Sequence, residues 1–535
     1  MTRAVGGSAY SGRVPTTFSR AVRRRLGAVG APVVLVLLLA GCQLSGEEES
    51  EAMPAPSLSP KPLPSPTATD GEAALERYYG QEVDWRRCRQ RLQCAEVEVP
   101  LDYEAPDGET ITISLLKVRA DDPDRRVGSL VVNPGGPGGS GIEYAANAGA
   151  YFGAELRRAF DIVGFDPRGV GQSTPVDCLP DAKLDEFVAS DPDPDTPAEV
   201  EEADRKVREF GEGCLQRSGD LAAHVSTEEA ARDVDIIREV LGDRRLSWFG
   251  ASYGTFLGAT YAELFPERVG RMVLDAALDP SLSNLDMSLA QARGFEVALR
   301  AYVGACVDRG GCFLGGSVDA GTKRIRQFLD EVEQQPISGT EQRRLEVGNA
   351  VLGIWAPLYN EDYWPLLDQA LRTGFDGDGR ALLALSDAYT SRSPSGYADN
   401  SLEALYAVNC LDRADSVPSS EVADLVPEFE EVSPTFGAIF AYGLSSCAEW
   451  PVESTREPGP LTAEGAEPIL VIGTTRDPAT PLEWAESLAR QLDSGILVAR
   501  DGDGHTGYNA GNKCVDDIVE SYLVSGDVPK SDVRC

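Results

Sequence analysis

The turn Gly250-Ala251-Ser252-Tyr253-Gly254 constrains the fold of this chain more than any other segment. Residues 246–249 before it are mostly apolar and predict a short buried strand, and residues 255–265 after it predict a helix that Pro266 ends. Small residues on either side of Ser252 let neighbouring backbone approach closely, so the turn is tight and raises the serine hydroxyl above a sheet. This strand–turn–helix arrangement is typical of a serine nucleophile.

Strand and helix patterns alternate through residues 95–280. Residues 95–100 and 111–118 alternate apolar and polar side chains, which predicts an antiparallel hairpin. A capping box at residues 226–229 starts a predicted helix that ends near Gly242. Buried strands are predicted at residues 129–132, 160–165, 246–249 and 271–274. This order of strands and helices indicates a parallel sheet covered by helices.

The alternation of strand and helix patterns stops at residues 281–455. This segment lacks short buried strands and is predicted to be mostly helical, as at residues 289–305 and 366–371. Strands return at residues 469–473 and 496–499. We therefore predict an α/β fold, with a mostly parallel sheet, helices on both faces and a mainly helical inserted lid. We predict a leader at residues 1–41 and a tether at 42–73. The first part of the core then covers residues 74–280, the lid 281–455 and the second part of the core 456–535.

A serine hydroxyl needs a base to become a nucleophile, and the chain has only two histidines. His505 lies in a glycine-rich loop just after the last predicted strand, whereas His224 has no such setting and is interpreted as a surface residue. Asp477 follows a predicted strand 28 residues before His505 and is the favoured third member of a triad. Asp275 also follows a strand and is the rival acid. The predicted catalytic residues are therefore Ser252, Asp477 and His505.

Acyl transfer also needs donors for the oxyanion. The backbone N–H of Tyr253 is one candidate, and that of Gly136, in the glycine-rich loop at residues 133–139, is the other. Phosphate binding by this loop is disfavoured, because two prolines remove donors and no G-x-x-x-x-G-K-[ST] motif is present. Metal binding is disfavoured because the sequence has no C-x-x-C pair and only two histidines. We expect no metal or organic cofactor.

Taken together, the motifs resemble the tripeptidyl-aminopeptidase branch of the proline-iminopeptidase-like α/β-hydrolases, over residues 75–535. In many relatives the oxyanion loop begins with histidine, whereas here it begins with Asn133, as in the exported branch. The segments that carry the resemblance are residues 133–138, 165–173, 250–254, 447–451 and 477–481, and Gly504-His505.

The resemblance implies the α/β-hydrolase fold and a serine exopeptidase that releases short peptides, expected to be tripeptides, from free amino termini. It also implies acidic lid residues that hold the substrate ammonium, for which Glu449 and Asp412 are candidates. Each lies two residues from a cysteine, so a purely structural role is an equal alternative. Two other classes remain open: an esterase or lipase on the same triad, and a peptide-binding lipoprotein without catalysis. The many acids of the lid disfavour the first, and the complete triad disfavours the second.

The amino-terminal segment has the pattern of an export signal. Three arginines at residues 23–25 precede an apolar run at 33–39, which is short for a membrane span, and Leu39-Ala40-Gly41-Cys42 follows. This segment resembles a bacterial lipoprotein signal with Cys42 as the lipidation site; a plain secretory signal is the alternative. The Ser-, Pro- and Glu-rich residues 43–70 predict a tether. We expect an extracytoplasmic monomer that is lipid-anchored to the cell membrane, with shedding left open.

Acidic residues dominate the charge, with a net −37 for the whole chain. The leader holds six arginines and no acid, which leaves 43 basic and 86 acidic residues, or −43, after its removal. Such a field repels nucleic acid and anionic lipid. It favours cationic partners such as peptides with free amino termini, although a solvated surface that maintains solubility is the simpler explanation.

Ten cysteines remain after Cys42, and an even number in an exported protein predicts disulfides. Connectivity does not follow from sequence; pairing between nearest neighbours is the preferred hypothesis because each loop is then local. Those pairs are Cys88–Cys94, Cys178–Cys214, Cys306–Cys312, Cys410–Cys447 and Cys514–Cys535.

Overall fold

The structure is a computed structural model. The predicted leader, the lipidation site Cys42 and nearly all of the predicted tether lie outside the residues that it describes. No helix in the described part is long and apolar enough to cross a membrane. The described residues are 58–59, 61, 75–89, 92–454 and 456–535.

A ten-stranded sheet forms the centre of the fold, in the order β1-β2-β3-β5-β4-β6-β7-β10-β11-β12. Pairing is antiparallel from β1 to β5 and parallel from β5 through β4 to β12. The remaining strands, β8 and β9, form a separate small hairpin. In chain order the strands are β1 Arg86–Cys88, β2 Leu92–Pro100, β3 Thr110–Val118, β4 Gly128–Asn133, β5 Phe160–Phe165, β6 Leu246–Ala251, β7 Val269–Asp275, β8 Arg392–Ser393, β9 Gly396–Tyr397, β10 Ile469–Arg476, β11 Gly495–Asp503 and β12 Val533–Arg534.

Nineteen α-helices lie in the described part of the chain. In chain order they are α1 Glu76–Tyr79, α2 Gly141–Ala146, α3 Ala148–Tyr151, α4 Ala154–Ala159, α5 Asp181–Val188, α6 Pro197–Ser218, α7 Thr227–Val240, α8 Tyr253–Leu264, α9 Asn284–Asp308, α10 Val318–Gln334, α11 Val347–Trp355, α12 Trp364–Phe375, α13 Arg380–Tyr389, α14 Ser401–Asp412, α15 Ser419–Val422, α16 Val426–Val432, α17 Gly437–Gly443, α18 Leu482–Gln491 and α19 Lys513–Ser525.

The central strands are buried on both faces, which is why their sequences are continuous apolar runs. On β4, Val131 belongs to one hydrophobic cluster, and its neighbours Leu130 and Val132 belong to another. Helices α7, α8 and α18 contribute to the first cluster, and α2, α4 and α19 contribute to the second. The sheet therefore lies between two helical layers, and the predicted α/β fold class is confirmed.

The edge hairpin β2–β3 follows its alternating sequence closely. Val97 and Val99 are fully buried, whereas Glu96 and Glu98 are exposed. Across the pair, Val97 lies opposite Ile113. The period of two places these apolar side chains on the core face and the glutamates in solvent.

The segment between β7 and β10 forms the helical lid, α9 to α17 together with β8 and β9. It has a hydrophobic cluster largely of its own, centred on residues such as Leu299, Ile325, Ile354 and Leu371. The predicted helices at residues 289–305 and 366–371 are present as α9 and α12, each longer than its prediction.

Helices α5 and α6, between β5 and α7, were not predicted. Helix α6 has 22 residues and begins at a complete capping box formed by Thr196 and Glu199. Only Phe210, Gly211 and Cys214 are buried in it, so its apolar stripe is too narrow to give a clear helical period.

Five disulfides are present in the described part of the chain, and they are the five nearest-neighbour pairs expected from the sequence. Cys178–Cys214 ties the segment after β5 to α6, and Cys410–Cys447 ties α14 to the end of the lid. Each bond therefore closes a local loop of at most 37 residues in sequence separation.

Candidate active site

Ser252 stands between β6 and α8 with backbone angles φ 55° and ψ −127°. A non-glycine residue in this left-handed region is strained, and the surrounding structure must hold it there. Its N–H donates to the Asp275 carbonyl at 2.9 Å. Gly135 packs against the turn so closely that a Cβ there would lie 2.8 Å from the Cβ of Ser252. Glycine is therefore required at that position, and the turn holds the serine side chain at the carboxyl end of the parallel strands.

Asp477 and His505 lie together at the ends of β10 and β11. The Nδ1 atom of His505 lies 2.9 Å from each oxygen of the Asp477 carboxylate. That carboxylate also accepts hydrogen bonds from the N–H groups of Ala479 and Thr480 and from the Thr480 hydroxyl, each at 2.9 Å. The pairing favours the imidazole tautomer with its proton on Nδ1, which leaves Nε2 free to act as a base.

The His505 side chain is nearly enclosed by protein. The ring of Tyr359 packs edge-to-face against the imidazole, with 5.3 Å between the two ring centroids. Burial lowers the pKa of His505, but the charge and hydrogen bond of Asp477 outweigh it, so the pKa lies above the ordinary 6.5. The Ser252 hydroxyl makes no hydrogen bond to His505 in the described structure. Such contacts are often long without substrate and tighten in the reacting complex.

Asp275, the rival acid, has a different position and role. Its oxygens accept hydrogen bonds from the N–H groups of Gly507 and Tyr508, at 2.8 and 2.9 Å. Burial raises the pKa of this carboxyl to about 6. It makes no hydrogen bond to the His505 ring, so we assign it to holding the histidine loop against β7.

The two candidate oxyanion donors lie on the wall of the same cavity as Ser252. Tyr253 is the first residue of α8, and Gly136 has φ 115°, in the loop after β4. Within the described part of the chain, neither N–H donates to a protein acceptor. Both are therefore available to a developing negative charge next to Ser252.

Ser252 opens into a cavity of about 250 Å³ between the core and the lid. One part of the wall is aromatic, with Phe295, Trp355, Tyr359, Tyr389 and Phe440. Another part is charged, with Asp279, Asp412, Arg413, Asp415 and Arg456. The cavity thus offers both apolar surface and fixed charge to a bound molecule.

The two predicted ammonium anchors differ in their position relative to the cavity. Glu449 is 41% exposed, pairs with Arg208 of α6 at 2.9 Å and does not line the cavity, so the structure does not support that prediction. Asp412 does line the cavity, but its oxygens accept hydrogen bonds from the Thr227 N–H at 2.9 Å and hydroxyl at 2.6 Å. Burial raises the pKa of Asp412 to about 6, against the opposing effect of these bonds.

Asp412 is also connected to an oxyanion donor. The Thr227 hydroxyl donates to Asp412, so it accepts from the Tyr253 hydroxyl, 2.5 Å away. The chain Asp412–Thr227–Tyr253 links the end of α14 in the lid to the first residue of α8. Asp412 is therefore interpreted as a positioning residue rather than an ammonium anchor.

Asp415 was missed by the sequence analysis. Its Oδ2 accepts from the Asn284 N–H at 2.5 Å, whereas its Oδ1 is buried and finds no hydrogen-bond partner among the described residues. No motif marks this aspartate, because only the packing of α9 against the segment after α14 brings it to the cavity.

His224 is half-buried beside the start of α7, with its Nδ1 2.9 Å from the Oε1 atom of Glu229. Together with Asp102 these residues form the one group in the described part that brings three possible metal-ligand atoms together. The Arg168 guanidinium lies 3.4 Å from the same Glu229 oxygen, and a positive charge there opposes a metal ion. The group does not line the cavity at Ser252.

Comparison with known proteins agrees with this geometry. A family model described as TAP-like protein matches residues 433–535, and one described as alpha/beta hydrolase fold matches residues 128–323. The chain is 36% identical over 482 residues to serine protease Hip1 of Mycobacterium tuberculosis, across 85% of this chain and 91% of that protein. The chain belongs to this α/β-hydrolase family.

The hydrolase has further relatives with different names. It is 31% identical over 471 residues to a tripeptidyl aminopeptidase of Streptomyces lividans, across 85% of this chain and 86% of that protein. It is 34% identical over 472 residues to carboxylesterase B of Mycobacterium tuberculosis, across 84% and 89% of the two chains. The comparisons thus establish that this chain is a serine hydrolase. Its relatives include proteins named as peptidases and a protein named as an esterase.

The acid limb of the pH–rate profile tests the assignment of the base. Because Asp477 raises the pKa of His505, the neutral, active imidazole is lost on acidification at a higher pH than for an ordinary histidine. We expect kcat/KM of the hydrolase to fall with a midpoint above pH 6.5. The variant His224→Gln should show the same midpoint. A midpoint at or below 6.5 in both proteins would contradict the assignment.

A second prediction concerns the Asp412–Thr227–Tyr253 chain. The variant Thr227→Val keeps the side-chain shape but removes the hydroxyl that joins Asp412 to Tyr253. We expect kcat to fall about tenfold with little change in KM, because small misplacements of a catalytic group are costly. Thr227→Ser should restore the rate. Steady-state kinetics and melting temperatures separate this effect from unfolding, and a wild-type kcat in folded Thr227→Val would refute it.

Proposed function

We propose that this chain is a serine exopeptidase that releases short peptides, with tripeptides as the expected product, from free amino termini. The observation that carries the proposal is the unpartnered Oδ1 of Asp415 on the wall of the cavity that contains Ser252. A buried carboxylate oxygen without a donor is costly, and a substrate ammonium would supply the missing donors. The names of the relatives Hip1 and tripeptidyl aminopeptidase support a peptide substrate.

The reaction follows from the positions of the side chains. His505 removes the proton of the Ser252 hydroxyl as the oxygen attacks the scissile carbonyl, and Asp477 stabilises the imidazolium. The N–H groups of Gly136 and Tyr253 bind the oxyanion. The imidazolium protonates the leaving amine, and water then hydrolyses the acyl-enzyme with His505 again as the base.

Ester hydrolysis is the second candidate function. The aromatic part of the wall, with Trp355 and Phe440 stacked 4.9 Å apart between centroids, would accept an apolar acyl chain. The relative named carboxylesterase B supports this reading. The acids and arginines of the charged part of the wall favour a charged substrate instead.

The deciding assay uses a chromogenic tripeptide amide, its N-acetylated copy and a short acyl ester, each with the Ser252→Ala variant as control. Cleavage of the free peptide and refusal of the acetylated copy are expected. Asp415→Asn should raise KM for the free peptide, whereas Asp424→Asn, at an exposed acid of the lid, should not. Ser252-dependent cleavage of the ester alone would replace the proposal with the esterase function.

We further propose that the protein is exported and lipid-anchored through Cys42. The support is in the sequence: the basic and apolar leader, the Leu39-Ala40-Gly41-Cys42 segment and the Pro-rich residues that follow. Membrane fractions should contain the full-length protein, and Cys42→Ser should move it out of them. Equal membrane retention of the two forms would refute lipid anchoring at this residue.

A further inference from the structure

Two arginines on the wall of the active-site cavity have no ion-pair partner among the residues that the structure describes. Arg413 directly follows α14, and Arg456 stands over the face of Phe256, with its Cζ 4.5 Å from the ring centroid. Both line the cavity with Ser252. No described carboxylate or carbonyl accepts a hydrogen bond from either guanidinium.

Buried arginines elsewhere in the molecule have acceptors, which are carboxylates in some cases and backbone carbonyls in others, as for Arg271. The guanidinium of Arg168 is bound by Asp233 at 2.7 Å, and that of Arg238 by Asp235 at 2.9 Å. The chain has 86 acidic and 49 basic residues, so carboxylates are abundant. The two cavity arginines have neither a carboxylate nor a carbonyl acceptor among the described residues, and this calls for an explanation.

Leaving these cations unpaired has a physical cost. Burial lowers the pKa of Arg413 and of Arg456, although the nearby charge of Asp412 acts in the opposite direction on both. Neither the Asp412 nor the Asp415 carboxylate lies within ion-pair distance of the two guanidinium groups, so that compensation is incomplete. The N–H donors of both guanidinium groups are therefore available to an anion that enters the cavity. A guanidinium matches a carboxylate best, because its parallel N–H groups can bind both oxygens.

We propose that Arg413 and Arg456 form a carboxylate subsite that selects an Asp or Glu side chain in the peptide released by Ser252. The inference rests on the proposed exopeptidase function and adds its substrate class. Arg413 and Asp415 are two residues apart, so the carboxylate subsite and the free Oδ1 proposed for the ammonium belong to one short segment. Phe256, under Arg456, is one turn beyond Ser252 on α8. These positions place the acidic side chain on the acyl side of the scissile bond.

The experiment compares matched chromogenic tripeptide amides that carry Glu or Gln at one position and neutral residues at the others. The wild-type enzyme should prefer Glu over Gln at one of the three positions by about tenfold or more in kcat/KM, which corresponds to about 1.4 kcal/mol. Arg413→Gln and Arg456→Gln should bring this ratio close to one. Arg208→Gln, at an exposed arginine of α6, should keep the wild-type ratio.

Two results would overturn the subsite. One is the absence of any Glu preference in the wild-type enzyme, a measurement that does not depend on the folding of a variant. The other is a preference that persists in both folded variants. The two arginines could instead bind a carboxylate on the leaving side of the scissile bond. It is distinguished by peptides whose leaving residue ends in a free acid or an amide; selectivity there alone would also overturn the assignment.

A further pair of substrates separates this inference from the proposed function. If no peptide is cleaved in a Ser252-dependent manner, the exopeptidase proposal fails, and the mono-p-nitrophenyl ester of glutaric acid is compared with p-nitrophenyl valerate. A preference for the glutarate ester that disappears in Arg413→Gln and Arg456→Gln would support a carboxylate subsite on an esterase. Equal rates for the two esters would refute it.

Discussion

Replacing Ser252 with alanine is expected to lower kcat by about a million-fold, because the serine and its base act as a unit and neither works alone. The substitution removes one oxygen from a turn whose backbone is held by its neighbours, so binding of the peptide should persist. The measurement is single-turnover hydrolysis of the preferred tripeptide amide, together with its equilibrium binding to the variant. Residual turnover within tenfold of the wild type would show that another group is the nucleophile.

The matched control is Ser252→Gly, which must be equally inactive. Because φ at this position is 55°, glycine should relieve strain that alanine retains. We expect the glycine variant to be more stable than the alanine variant by about 1 kcal/mol. A lower stability for the glycine variant would show that the turn is not strained in the way the backbone angles indicate.

Replacing Asp477 with asparagine is expected to lower kcat about ten-thousand-fold, because an amide can stabilise the wrong imidazole tautomer. The acid limb of kcat/KM should also move to lower pH, since the carboxylate is what raises the pKa of His505. The profile is measured on the same peptide as for the wild type.

Asp501→Asn is the control for Asp477→Asn. Its side chain is 77% exposed near the end of β11, and it pairs with Arg476 at 3.0 Å. This variant changes the charge by the same amount and should leave both kcat and the acid limb unchanged. A loss of activity in Asp477→Asn with no shift of the limb would mean that Asp477 only supports the loop fold.

The sequence indicates most of the sheet and the residues around Ser252 because both depend on local patterns. A buried strand followed by a tight turn and a helix is readable in residues 246–265, and β6 and α8 occupy that segment. The scarcity of histidine makes the choice of His505 simple. These features need no knowledge of how distant parts of the chain pack.

The wall of the cavity depends on packing and is not readable in the same way. Asp412 and Glu449 are each two residues from one half of the same disulfide, yet Asp412 is buried and Glu449 is exposed. The difference arises because Asp412 ends a helix that abuts Thr227, whereas Glu449 extends towards Arg208 on α6. Asp415 has no local signature at all.

The order of the five disulfides along the chain has a consequence for how the protein acquires them. In the sequence, both cysteines of each pair precede the first cysteine of the next pair, from Cys88–Cys94 to Cys514–Cys535. A chain that emerges amino terminus first therefore presents each cysteine of these pairs to its partner before any later one arrives. Simple oxidation in the order of emergence therefore leads to the native connectivity, and Cys514–Cys535 is the last of these five bonds to form.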